Sequence, residues 1–194
     1  MTAVPVTRLK IKRIRRYDAE EFFEFIKDKE GRRELIDGRI YMMASPSVNH
    51  QRIIGRIYKK LSDYFAGKTC EPFIAPLDVV LFEKNKEDKS QNVFQPDVFV
   101  VCDPEKIGEN RINGAPDFII EIVSEGTASH DYIKKLNAYM KYGVREYWIV
   151  NPKTKQDSVY INGEQFETYT YSFEDKIKVS IFEDLEIDFK ELDL

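Results

Sequence analysis

Apolar residues recur along this chain with two different periods, and the switches between them predict the order of elements. Asp18-Ala-Glu-Glu places an acid at a helix N-cap with Glu21 three residues on, which predicts a helix running to about Lys29 and stopped by Gly31. Arg33 to Met43 alternates apolar and polar residues around Asp37-Gly38, a strong hairpin pattern. Ser45-Pro46-Ser47 breaks the chain and leads into a second helix over 48–65, where Ile53, Ile54, Ile57, Leu61 and Tyr64 recur at helical spacing. Phe73 to Phe82 reads as one strand and is followed by the polar loop EKNKEDKSQN. Val93 to Cys102 and Pro116 to Val123 read as buried strands. His130 to Tyr142 is an amphipathic helix ended by Gly143, and Glu146 to Val150 is a further buried strand ended by Asn151-Pro152. Ser158 to Ile161 and Gln165 to Tyr171 flank Asn162-Gly163 as a second hairpin, and Ile177 to Phe182 is a last short strand. This order predicts a mixed α/β core with appended hairpins.

Composition narrows the picture. The chain has 194 residues, 42% of them hydrophobic and 33% charged, which suits one globular domain over 17–194. No apolar run approaches the ~18–20 residues of a membrane span, and no apolar leader opens the chain, so the cytoplasm is the expected compartment. Cys70 and Cys102 form no CxxC pattern and are expected to be reduced and partly buried. With His50 and His130 as the only histidines, a zinc site is disfavoured. A metal here would take carboxylate oxygens, which points to magnesium or manganese. The net charge of −4 argues against broad nonspecific nucleic-acid affinity. Residues 1–16 form a separate basic arm, however: Arg8 to Arg16, RLKIKRIRR, carries basic residues and no acid. Such an arm could touch phosphate; the plainer alternative is a solvated or strand-forming terminus.

The candidate chemistry lies in carboxylates set within apolar runs, where they are costly unless paired or bound to a cation. Asp97 follows Pro96 in VFQPDVFVVC and shares a strand face with Phe99 and Val101; otherwise it is a strand-start aspartate bonding backbone amides. Glu121, in DFIIEIVS, shares its face with Ile119 and Val123, and its alternative is a salt bridge at the core edge. If the two strands pair, the carboxylates lie side by side and repel unless a cation sits between them. A divalent cation so held would polarise a phosphate and acidify a water molecule. Lys134-Lys135 follows on the next helix. Lys135 could stabilise charge on phosphorus, or face solvent beside Asp131 one turn earlier. Glu34 and Asp78 are further acids on apolar segments, and His50 could bind phosphate, carry a proton or cap its helix. Tyr139, Tyr142, Tyr147 and Trp148 fit core packing better than base stacking.

Taken in order, ELIDG, SPSVNHQRI, APLDVVL, QPD, GAPDFIIEIVS, a D-x-x-x-K helix and GVREYWIVNP resemble the Uma2 family, often labelled restriction endonucleases, within the PD-(D/E)xK nuclease superfamily. The resemblance runs from about Tyr17 to the C-terminus. It implies a restriction-endonuclease-like core and a magnesium- or manganese-dependent endonuclease, with DNA the usual substrate of the superfamily. On that resemblance Asp97 and Glu121 are the metal ligands, and Glu34 is an added acidic residue of the catalytic set. The superfamily lysine position is Val123 here, a departure; the matching lysine of Uma2-like chains lies on the following helix, at Lys135. His50 and Asp78 match recurrent family positions and are expected on the substrate side. Two other readings stand beside the enzyme. One is a nucleic-acid or protein binding module that kept the fold without turnover. The other is an interaction domain, such as a homodimer, whose carboxylates only make salt bridges.

Overall fold

The computed structural model describes residues 15–82, 90–124 and 129–192, apart from the side chains of residues 129–131. The basic arm predicted over 1–16 therefore lies almost wholly outside the described residues, as do most of the polar loop after Phe82 and the Asp131 side chain. Among the described residues three α-helices and thirteen strands follow in the order α1 (Ala19–Ile26), β1 (Arg33–Ile36), β2 (Arg39–Met42), α2 (Val48–Phe65), β3 (Glu71–Ile74), β4 (Val79–Val80), β5 (Val93–Phe94), β6 (Val98–Val101), β7 (Ile112–Asn113), β8 (Phe118–Ile122), α3 (Ser129–Tyr142), β9 (Glu146–Asn151), β10 (Gln156–Asn162), β11 (Phe166–Ser172), β12 (Lys176–Lys178) and β13 (Glu186–Asp188).

Local chemistry explains most of these bounds. The Asp18 carboxylate accepts from the Glu21 amide and the Glu21 side chain accepts from the Asp18 amide, closing a capping box on α1. Asp37 and Gly38 both have positive φ, 48° and 72°, as the tight turn between β1 and β2 requires. Gly38 is also approached closely by Arg16 and Tyr17, so a side chain there would meet a neighbour. Ser47 caps α2 by accepting from the His50 amide, which sets that histidine at the first turn.

The two longest predicted strands are each broken in two. Phe73 to Phe82 divides at Pro76 into β3 and β4, and Val93 to Cys102 divides at Pro96 into β5 and β6. Proline offers no N–H to a ladder, and each break moves the chain from one sheet to another. The last predicted strand is likewise shorter than expected, and pairs as β12 with β13.

A six-stranded sheet, β11-β10-β9-β8-β6-β3, forms the centre. Its one parallel pair, β8–β9, is joined through α3, the crossover that parallel strands need. One face packs on α2 and the chain after β11, burying Ile53, Ile57, Leu61, Trp148, Phe182 and Phe189. The other face packs on α3 and on a five-stranded sheet, β2-β1-β5-β4-β7, burying Phe94, Phe99, Ile119, Tyr139 and Tyr147. A smaller cluster seats α1 through Phe22 on Leu35 and Val93.

Contrary to the expectation of free thiols, Cys70 and Cys102 are joined in a disulfide with Cα atoms 3.9 Å apart. They flank the β3–β6 pair, one register step beyond Glu71 and Val101. That adjacency arises only when the strands pair, and a separation of 32 residues hides it in the sequence. Among the described residues no helix is long and apolar enough to cross a membrane.

Candidate active site

The five-stranded sheet, the central sheet and α3 meet around a cavity of about 180 Å³ lined in part by Arg32, Glu34, His50, Asp97, Glu121 and Lys135. Strand pairing delivers the two central acids. β6 and β8 are antiparallel with Val98 opposite Ile120, so the next step of the register sets Asp97 opposite Glu121. Asp97 Oδ2 accepts from the Ile122 amide at 2.9 Å, which fixes this carboxylate against β8. Both acids are about 95% buried.

Lys135 comes from α3 rather than from the strand. Its Nζ donates to Glu121 Oε1 and Glu34 Oε1, each at 2.9 Å, and it is only 6% exposed. Its neighbour Lys134 donates to the hydroxyl of Tyr41, at the cavity wall, at 3.1 Å. Tyr139, one turn beyond Lys135, donates to the same Glu121 oxygen at 2.9 Å. Helical spacing of i and i+4 places both groups over one strand residue. Glu34 also accepts from the Gln95 amide at 3.0 Å, tying β1 to the Pro96-Asp97 turn.

The electrostatics follow from burial. Burial pushes Glu121 up to about 7, helped by the Asp97 and Glu34 charges and opposed by Lys135. Burial works against the charge on Lys135, but Glu121 and Glu34 outweigh it and hold the ammonium protonated above its usual range. The Tyr139 hydroxyl is raised well above its ordinary value by burial and by Glu121, so it stays a donor. His50 Nε2 lies 3.2 Å from Asp97 Oδ2 and 3.1 Å from the Ile122 carbonyl. Both neighbours are acceptors, so Nε2 carries the proton. Burial alone would lower His50, yet the Asp97 hydrogen bond and charge raise it overall.

Five of the six residues singled out from the sequence thus converge on one cavity. Asp78 does not line it. Its Oδ1 accepts from Gln95 Nε2 at 2.9 Å, and among the described residues this links it to the site. Sequence reasoning missed Tyr139 as a partner of Glu121, although its spacing from Lys135 was visible. It also missed Arg32, two residues before Glu34 and so on the same face of an extended chain.

Among the described residues no group of three or more His, Cys, Asp or Glu side chains stands in metal-holding geometry. The described residues therefore form no closed protein cage. Two carboxylates at a cavity suit magnesium better, since it keeps water and shares substrate phosphates. Asp97 Oδ1 and Glu121 Oε2 accept no hydrogen bond from a described residue, which leaves one oxygen of each for a cation.

Residues 19–190 match a family model, Uma2, described as "Putative restriction endonuclease". The chain belongs to the Uma2 family. A solved structure of similar fold is that of a "putative nuclease belonging to DUF820" from Anabaena variabilis ATCC 29413, at TM-score 0.73 and 20% identity over 91% of this chain and 97% of that one. Two uncharacterized proteins of Synechocystis sp. (strain ATCC 27184 / PCC 6803 / Kazusa) are similar in sequence. One, slr1290, is 28% identical over 62% of this chain and 60% of its own length; the other, sll1609, is 25% identical over 62% and 66%. The matches therefore span less than two thirds of either relative. Uma2 membership and the shared nuclease fold agree with the mixed α/β, restriction-endonuclease-like core read from the sequence.

Proposed function

We propose that this Uma2 chain is a metal-dependent endonuclease that hydrolyses phosphodiester bonds, with DNA its substrate. The observation that carries the reading is the burial of Lys135 between Glu121 and Glu34, with Asp97 opposite Glu121 at the same cavity. A buried ammonium shared by two acids beside a third is costly to build, and it is the charge pattern that in-line attack on phosphorus requires.

Asp97 and Glu121 would hold a magnesium or manganese ion through their unbonded oxygens. When bound there, the ion supplies a Lewis acid for a phosphate oxygen and acidifies a water molecule. The chain's own groups do the rest. The Ile122 amide and His50 fix the Asp97 carboxylate. Tyr139 and Lys135 fix one oxygen of Glu121, its Oε1. Glu34 holds Lys135 in reach of the charge that builds on the phosphoryl oxygens.

A magnesium or manganese titration by calorimetry, on the parent chain and on Asp97→Ala and Glu121→Ala, tests this reading, with and without duplex DNA. Binding by the parent that both folded variants lose, together with cleavage of the duplex, supports it. No uptake of either cation at millimolar concentration, even with DNA present, would overturn it. The result would then favour a binding module without turnover, which the valine at position 123 and the net charge of −4 already favour.

A further inference from the structure

We propose that Arg32 is the phosphate clamp of this site: its guanidinium seats a non-scissile phosphodiester phosphate of the bound nucleic-acid strand. The inference rests on the nuclease reading above and assigns that site a substrate-holding residue. Arg32 lines the same cavity as Glu34, Asp97, Glu121 and Lys135. Its Nε donates to Gln95 Oε1 at 2.8 Å, while its Nη2 is buried with no hydrogen-bond partner among the described residues. A buried guanidinium donor without an acceptor is costly, and an anion in the cavity supplies the acceptor.

The partner of Arg32 matters as much as the open nitrogen. Among the described residues Arg32 pairs with no carboxylate, whereas Lys135 is bonded to two. Gln95 is a neutral amide, so it orients the guanidinium without cancelling its charge. The Gln95 side chain is itself held. Asp78 can only accept, so Gln95 Nε2 turns toward it and Oε1 is left facing Arg32. The Gln95 backbone amide meanwhile donates to Glu34, which binds Lys135. One residue thus registers Arg32 against Lys135. This gives Asp78 a positioning role, two hydrogen bonds away from the cavity. Arginine suits the task because its planar fork matches phosphate oxygens.

The test measures binding of a fluorescein-labelled oligonucleotide duplex by anisotropy, with calcium in place of magnesium to hold turnover back, and kcat and KM separately in magnesium. Arg32→Gln should weaken binding about 10-fold or more, chiefly through KM. Arg32→Lys should recover part of that loss because the charge is kept, and Arg39→Gln, on the exposed outer strand, should change it less than about twofold. Asp78→Asn should weaken binding less than Arg32→Gln. If Arg32→Gln is folded and binds as tightly as the parent, the clamp is wrong and the nuclease reading stands. Should Arg32→Gln fail to fold, Arg32→Lys decides: parent-like stability with weakened binding supports the clamp, and unchanged binding overturns it. A parent chain that binds the duplex without cleaving it, with binding lost in Arg32→Gln, keeps the clamp and removes the nuclease. A parent that neither binds nor cleaves overturns both.

Discussion

Replacing Lys135 by methionine keeps the length of the side chain and removes its charge, which isolates what the buried ammonium does. Two carboxylates, Glu34 and Glu121, would then share one buried space with no counter-charge, keeping the Gln95 amide and the Tyr139 hydroxyl as their donors. Breaking a buried pair in this way costs about 3–5 kcal/mol when the remaining charge cannot escape. Glu121 has an escape, because burial already lifts it from 4.5 to about 7, a displacement worth about 3 kcal/mol. A carboxyl raised in the folded state destabilises the fold as pH climbs from its unfolded value through its folded one. Without Lys135 the rise is larger, so the penalty should depend on pH. At pH 5 Glu121 is protonated in parent and variant alike, and the variant should lose only about 1 kcal/mol, the scale of lost hydrogen bonds. At pH 8 it should lose about 3–5 kcal/mol, roughly 10 °C in Tm for a chain of this size. Thermal melts by circular dichroism at both pH values measure this, and adding Glu121→Gln should recover most of the loss at pH 8. A deficit equal at pH 5 and pH 8, unrelieved by Glu121→Gln, would show that Lys135 acts through packing and refute the argument.

Asp157 is fully buried, its carboxylate has no hydrogen-bond partner among the described residues, and burial, with Asp175 nearby, raises it to about 8. Stability should therefore fall as pH rises from about 4 to about 8, by up to about 5 kcal/mol, and urea titrations of Asp157→Asn should show that slope removed. Tyr139→Phe deletes one hydrogen bond to Glu121 and should cost about 1 kcal/mol in a denaturant melt while lowering cleavage several-fold; unchanged cleavage would dismiss its role in orienting Glu121. Thiol titration of the unfolded chain should find no free cysteine before reduction, and Cys70→Ser with Cys102→Ser should cost about 3 kcal/mol in the same melt.

What the sequence disclosed, and what it hid, follows from the range of each interaction. The span of α2 and the capping box of α1 were legible because both are set by residues within a few positions of one another. The Asp37-Gly38 turn was legible for the same reason. The strand breaks at Pro76 and Pro96 were missed because apolar runs on both sides of each proline continue the pattern. Which sheet each half joins depends on partners far along the chain. β7 and β13 span only two and three residues and carry no measurable period. Asp97 and Glu121 were conspicuous as acids in apolar runs, but their alignment needed the β6–β8 register. Asp157 went unnoticed because the predicted strand begins one residue later, at Ser158, whereas β10 takes in Asp157 and buries its side chain.

The departure at position 123 carries a further prediction. Val123 lies two residues beyond Glu121, so alternation sends both side chains to the face of the central sheet that α3 covers. Its own surroundings are Tyr132, Ile133, Leu136 and Ile149, an apolar groove beside the cavity. The crossover between β8 and β9 lays α3 over that same face, and a helix so placed presents residues one turn apart to a single strand position. Lys135 and Tyr139 meet Glu121 in this way, and Lys135 goes further to reach Glu34 on the other sheet. A lysine at 123 could regain the bond to Glu121 but would have to cross the cavity to reach Glu34. Adding Val123→Lys to Lys135→Met should therefore restore about half of the stability lost at pH 8, with cleavage recovering less because Glu34 stays unpaired. Full recovery of both, measured by melting and by duplex cleavage, would mean that one acid suffices and that the link from α3 to Glu34 is dispensable. No recovery of stability would mean that the Val123 face does not open toward Glu121, and that the helix is the one element able to supply this charge.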